Sequence, residues 1–148
     1  MTDSFPELSN LPAERAALGA FIEESSILTA AIDDGLTPDD FSLSDHQRMF
    51  RALVELRDKR FPVDYISLAE HLGNSQYDFA LLGELISGVV IQHSHIAHHV
   101  RVIRQKSRLR ALLRLSDWIA QAAVEVGADP EEIGNLVLDK LESVRVTA

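Results

Sequence analysis

SRLRALLRLSDWIAQAAVEVGADPEEIGNLVLDKLESV, residues 107–144, is the stretch on which the fold turns. In it Leu109, Leu112, Ser116, Ile119, Ala123 and Val126 recur in steps of three and four, as a helical packing seam does. Gly127 then offers a left-handed cap. Asp129-Pro130-Glu131-Glu132 places a cap, a first-turn proline and an N3 glutamate where a second helix would need them. On that helix Ile133, Val137, Leu141 and Val144 repeat the apolar spacing. A turn this short makes the two helices antiparallel neighbours. Traced backwards, the first pattern begins near Ser94 and would run about 50 Å to Val126. The prediction is a long helical hairpin over 93–148.

A two-helix hairpin cannot cover itself, because each helix buries only the side facing its partner. Apolar residues here occupy second faces as well, among them Leu113, Trp118, Leu136 and Leu138. Such surplus marks a protein–protein contact. Self-association is therefore expected through Leu109, Leu112, Leu113, Ser116, Ile119, Ala123, Val126, Ile133, Val137, Leu141 and Val144. Trp118 is expected to pack rather than to serve as an exposed anchor.

Upstream, breakers cut the chain into further helices, and no strand-like alternation survives between them. The first follows Asn10, carries Pro12 in its opening turn and aligns Leu18, Phe21 and Ile22, with Gly19 inside it at about 1 kcal/mol relative to alanine. A short helix over 27–33 ends at Gly35. Thr37-Pro38-Asp39-Asp40 and the S-x-x-Q box Ser44-Asp45-His46-Gln47 are two start signals. The latter opens a helix lined by Met49, Phe50, Leu53, Val54, Leu56 and Arg57 and broken at Phe61-Pro62. Asp64 caps a helix whose Leu68, Ala69 and Leu72 face inward until Gly73. Phe79, Leu82, Leu85 and Ile86 form a further stripe before Gly88. The chain thus reads as all-α: a flexible N-terminus over 1–9, a compact multi-helix head over 10–92, and the hairpin within the same structural domain.

The 148 residues carry a net charge of −9, unevenly spread. Residues 1–92 hold 16 acids and 6 bases, whereas 93–148 hold 7 acids and 8 bases. So acidic a head repels a phosphate backbone, and direct DNA binding through it is not expected. The exception is RVIRQKSRLRALLR, 101–114, with six cations and no acid. There is no cysteine, no apolar run approaching the roughly 20 residues of a bilayer span, and no basic n-region at the N-terminus. A cytoplasmic location is the expectation, with no membrane contact.

HSHIAHH, 93–99, holds four of the six histidines. On a helix His95 and His99 share a face at i,i+4, with His98 beside them, and His93 precedes them in the chain. Two imidazoles at that spacing can hold zinc, but a stable site wants three or four ligands, and the glutamate of H-E-x-x-H is missing. Glu84 could add a ligand. Structural or solvent-facing histidines are the expected outcome, with a metal site and a pH-dependent interface as alternatives. The acid pairs Asp33-Asp34 and Asp39-Asp40 fit helix ends better than a catalytic dyad, and no serine sits in G-x-S-x-G. No G-x-x-x-x-G-K-[ST] occurs, and none of the seven glycines precedes a lysine. The phosphate cradle of an ATPase is absent from these residues. No catalytic residue, metal or cofactor is expected.

Several stretches in order resemble one family. PAERAALGA (12–20) resembles E-A-E-x-A-x-L-G-A, the opening helix of the N-terminal domain of DnaB-type replicative helicases. LTPDDF (36–41), HQRMFRALVEL (46–56) and FPVDYISLAEHL (61–72) continue the resemblance, the last as x-P-V-D-x-x-T-L-x-x-x-L. HVRVIRQKSRLRALL (99–113) is similar to Y-A-x-I-V-R-E-K-x-x-x-R-x-L-I. The likeness covers about residues 10 to 146. It assigns structural roles to Glu14, Leu18, Gly19, Phe41, Pro62, Val63, Asp64, Arg104 and Arg110. It departs at His95 and His98-His99, where the family tends to have asparagine and Tyr-Ala.

The resemblance implies a head of about six helices plus a hairpin, the hairpins pairing subunits and three pairs making a hexameric collar. It also implies docking of the primase C-terminal domain and of helicase loaders. Three functions stay open from the residues: an assembly and docking domain of a replicative helicase, an all-α nucleic-acid-binding regulator using 101–114, and a metal-dependent enzyme built on the histidines.

Overall fold

The computed structural model describes residues 8–73, 83 and 95–145. The stripe expected at Phe79 to Ile86, together with Glu84, Gly88 and His93, lies outside the described residues. Within them the chain forms helices α1 (Leu11–Glu23), α2 (Ser25–Asp33), a 3₁₀ turn (Pro38–Asp40), α3 (Ser44–Asp58), α4 (Tyr65–Leu72), α5 (Ile96–Ala123) and α6 (Pro130–Arg145).

α1 is the hub. Asn10 Oδ1 accepts from the Ala13 amide at 3.1 Å, and Pro12 occupies the first turn, as the sequence predicts. Alanines at 13, 16, 17 and 20 and Gly19 keep the helix thin and are all buried. Small side chains let neighbours approach from several directions, so α2, α3 and α5 all pack on α1. Leu18, Phe21, Leu28, Phe41, Phe50, Leu53 and Leu68 fill the core between them. Phe50 lies between Phe21 and Phe41, with ring centres 5.9 and 5.1 Å away.

The ends of the elements follow local chemistry. Gly35 adopts φ 101° after α2, and Gly73 adopts φ 106° after α4. Thr37 and Asp40 close the 3₁₀ turn, the Thr37 amide donating to Asp40 Oδ2 at 2.8 Å. Asp64 caps α4 by accepting from the Ser67 amide at 2.7 Å, while Val63 packs against the core and Pro62 stays exposed. One cap differs from expectation. Ser44 is already helical and the cap position is Leu43, so the S-x-x-Q box does not form. Gln47 Nε2 instead donates to the Phe41 carbonyl at 2.8 Å, tying α3 to the loop before it.

One acid sits where the apolar stripe of α1 should continue. Glu14 is 1% exposed. Its carboxylate accepts from the Ser42 amide (3.1 Å), the Ser42 hydroxyl (2.6 Å) and His46 Nδ1 (2.8 Å). Such a group is costly to bury alone and stabilising when fully paired. It pins the loop before α3 onto α1.

α5 is fastened to the head in two ways. Its first turns bury Ile96, Val100 and Ile103. Beyond them the same face presents arginines. Arg104 Nη1 donates to the Asp34 carbonyl at 2.5 Å, and its guanidinium lies over Gly35, where an added Cβ would come within 3.1 Å of Nη2. Arg110 donates from Nη1 to the Leu8 carbonyl (2.7 Å) and from Nη2 to the Asp40 carbonyl (2.9 Å). Burial pushes the Arg110 guanidinium below its ordinary range, while Glu14 pulls it back up. The two arginines thus satisfy carbonyls left over at turns of the head.

The histidines open α5 without converging. His95 and His98 are exposed, the His98 and His99 rings stand 5.8 Å apart, and no group of three metal-ligating side chains occurs among the described residues. Burial first, then the charges of His98 and His95, hold the His99 imidazole below its usual 6.5.

Three outcomes are expected. Glu14→Ala should lose about 3 kcal/mol in urea denaturation, because two hydroxyl or amide donors and an imidazole are orphaned in the core. Gly35→Ala should cost about 2 kcal/mol, from a left-handed φ and the clash with Arg104, and part of that cost should vanish in an Arg104→Ala background. For His99, the unfolded chain takes up the proton before the folded one. Melting temperature should therefore fall as pH drops from 8 through 6.5, and fall less in His99→Asn.

Candidate functional site

Beyond Arg110, α5 leaves the head and packs on α6. Ile119 and Ala123 lie beside Ile133, Gly134 and Val137, whereas Ala111, Leu115 and Trp118 lie beside Lys140 and Val144. Early residues of one helix meet late residues of the other, so the pair is antiparallel, as predicted. α5 ends at Ala123 rather than Val126, and Val126 stands fully exposed in the turn before Gly127, which adopts φ 80°. The turn thus begins three residues earlier than the apolar spacing suggests.

The seam also lies on a different phase from the expected one. Leu115, the one buried residue of this half of α5, faces α6 in the row Ala111, Leu115, Trp118 and Ala122. Lys140 stacks on Trp118 with its ammonium 4.9 Å from the ring centre. Trp118, expected as packing, is half-buried there. The row Leu109, Leu112, Ser116, Ile119 and Ala123 is turned about 80–100° from the seam. Leu109 is 45% exposed and Leu112 41%, and Ser116 and Ala123 are exposed, while Ile119 is half-buried at the edge. Both rows share the three-four spacing, and only packing tells them apart. Leu113 is half-buried on neither row.

On α6, Ile133, Val137, Leu141 and Val144 are half-buried, and Leu136 and Leu138 are exposed, Leu138 by 64%. Gly134 and Leu138 flank the same side as Ile119 and Ala123. Together with Ala128, Pro130, Ile133 and Val137 they line an open groove of about 490 Å³. A Cβ at Gly134 would meet nothing within 4 Å, so the glycine opens the groove rather than admitting a neighbour within the chain. The outcome is a largely apolar flank on the hairpin, with exposed Leu109, Leu112 and Leu138, that no described residue covers.

Sequence reasoning missed three arrangements: the pairing of Glu14 with Ser42 and His46, the inward use of Arg104 and Arg110, and Lys140 on Trp118. The first two had a signal. Glu14 lies amid buried alanines, and Arg110 continues the heptad phase of Ile96 and Ile103. A charge on a core-facing phase needs a partner.

The family described as the DnaB-like helicase N terminal domain matches residues 6–105. The replicative DNA helicase DnaC of Bacillus subtilis is 33% identical over 129 residues, covering 82% of this chain and 27% of that protein. The replicative DNA helicase DnaB of Geobacillus stearothermophilus is 30% identical over 118 residues, covering 76% and 25%. The chain therefore spans about a quarter of the length of these relatives. Its fold is that of the N-terminal domain of DnaB helicase from Mycobacterium tuberculosis, at a TM-score of 0.80 and 22% identity over 91% of this chain and 97% of that one. With an all-α architecture of this order and a family match over two thirds of its length, the chain belongs to the DnaB-like helicase N-terminal domain family.

Proposed function

We propose that this chain is the assembly and docking domain of a replicative DNA helicase, pairing with a second copy through the apolar flank of its hairpin. The observation that carries the reading is the exposure of Leu109, Leu112 and Leu138 on the hairpin side that holds an open groove, which no described residue fills. Monomeric proteins seldom leave such a flank in water. Two copies related by a twofold axis can lay the same flank against itself. Residues Leu112, Ile119, Ala123, Val137, Leu138 and Leu141 form its centre. Pairing of this kind, repeated three times around a ring, is what the family resemblance implies, as is docking of the primase C-terminal domain and of a loader on the assembled collar.

The rival reading, a nucleic-acid-binding regulator using 101–114, loses its main support. Two of the six cations of that stretch hold head carbonyls instead of facing solvent. The remaining ones sit on a chain of net charge −9.

Light scattering or sedimentation at tens of micromolar tests the pairing. The unaltered chain should have the mass of a dimer or a multiple of it. Ile119→Asp and Leu138→Asp should each weaken association by about a hundredfold or more, since each buries a carboxylate against apolar side chains. Leu138 is exposed within the single chain, so its substitution should leave the melting of a dilute sample nearly unchanged. A monomer at every concentration, indifferent to both substitutions, would rule the proposal out.

A further inference from the structure

The other flank of the hairpin carries a second, chemically different hollow. Ala111, Arg114, Leu115, Trp118, Lys140, Ser143 and Val144 line an open pocket of about 310 Å³. Arg114 and Trp118 are one turn apart on α5, and Lys140 reaches across from α6 to stack on the indole. Arg114 and Lys140 are both exposed, and among the described residues neither has an acidic partner in an ion pair. Elsewhere some cations are paired, Arg57 with Asp58, Arg51 with Asp39 and Arg145 with Glu142; what sets Arg114 and Lys140 apart is that both line one hollow beside an indole. Two cations without an ion-pair partner on the rim of a half-buried indole are complementary to a ligand with carboxylates and a flat or branched apolar group.

We propose that this pocket is a docking site for a short acidic peptide segment of a partner protein, with carboxylates on Arg114 and Lys140 and an apolar side chain against Trp118. Charge complementarity selects the occupant. Arg114 can hold a carboxylate in two parallel bonds, and Lys140 supplies a point charge that its place on the ring keeps near the pocket. The hollow has room for one such apolar side chain. The site stands on the flank away from Leu112 and Ile119, so it is independent of the pairing proposed above and remains open in a pair.

Trp118 is the sole tryptophan of the chain and reports on the site directly. The test is a fluorescence titration of the full chain, at 50 mM salt, with the hexapeptide DEFLDE and its charge-reversed counterpart KKFLKK. DEFLDE should change Trp118 emission saturably, with a dissociation constant in the range of about 0.1–1 mM. Binding should weaken roughly fivefold or more at 500 mM salt and in either Arg114→Ala or Lys140→Ala. Both residues are exposed, so helix content by circular dichroism should be unchanged in the variants. No saturable change, or an equal response to KKFLKK, overturns the proposal. So does tighter binding of a short oligothymidylate, which would assign the pocket to phosphates and bases. Binding of DEFLDE only after deletion of residues 1–7 also overturns it, since the occupant would then be the acidic start of this chain, whose Leu8 carbonyl lies on Arg110 one turn from Arg114.

Discussion

A helix of 28 residues is about 42 Å long, and α5 has a partner on each half but not around its whole girth. Its first half spends its apolar side on α1 and α2, through Ile96, Val100 and Ile103. Its second half gives one narrow row to α6. No described residue covers the next row, Leu109 to Ala123. The flank between the helices is a consequence of geometry: a hairpin two helices wide has two outer sides, and only a third and fourth helix can dry one of them. The same long helix therefore joins the core of the head to the exposed flank of the hairpin.

How firmly α5 is held then matters for where that flank points. Between Ile103 and Leu115 no residue of α5 is buried, and the link to the head over that stretch is polar. Arg104 and Arg110 hold the Asp34, Leu8 and Asp40 carbonyls, partners 70 to 102 residues away in sequence. Those carbonyls belong to turns that Gly35, Thr37 and Asp40 shape, and Glu14 anchors the loop that follows. A buried carboxylate, a 3₁₀ turn and two guanidinium forks thus form one polar seam at the base of the hairpin. Directional hydrogen bonds set an angle more sharply than apolar contact does. That is a physical reason for charged residues on a phase that could have been leucine.

The two flanks of the hairpin differ in kind. One is apolar, with Gly134 lining an open groove. The other is cationic and aromatic, with Arg114, Trp118 and Lys140. A surface of the first sort suits a permanent partner of the same shape, and one of the second sort suits a weaker, salt-sensitive contact. Both arise because α6 supplies Lys140 and Leu138 on opposite sides of one narrow helix.

The local chemistry was legible from the residues alone. Asn10, Pro12, Asp64, Gly35 and Gly73 each mark a helix end by a mechanism that needs only near neighbours, and each occupies that place in the fold, whereas Gly127 takes its left-handed φ in the turn, past the end of α5 at Ala123. The hairpin and the all-α class follow from periodicity in the same way. What periodicity could not supply was azimuth. Rows 109-112-116 and 111-115-118 have the same spacing, and which of them meets α6 depends on how α5 is rotated by its docking on the head. The same holds for Ser44, a capping residue by type that lies one place inside its helix, and for Arg104 and Arg110, given structural roles by resemblance but no partner until the carbonyls opposite them are known. Caps and turns are decided within about four residues of chain; the choice of face, and the partner of a buried charge, are decided by contacts far apart in sequence.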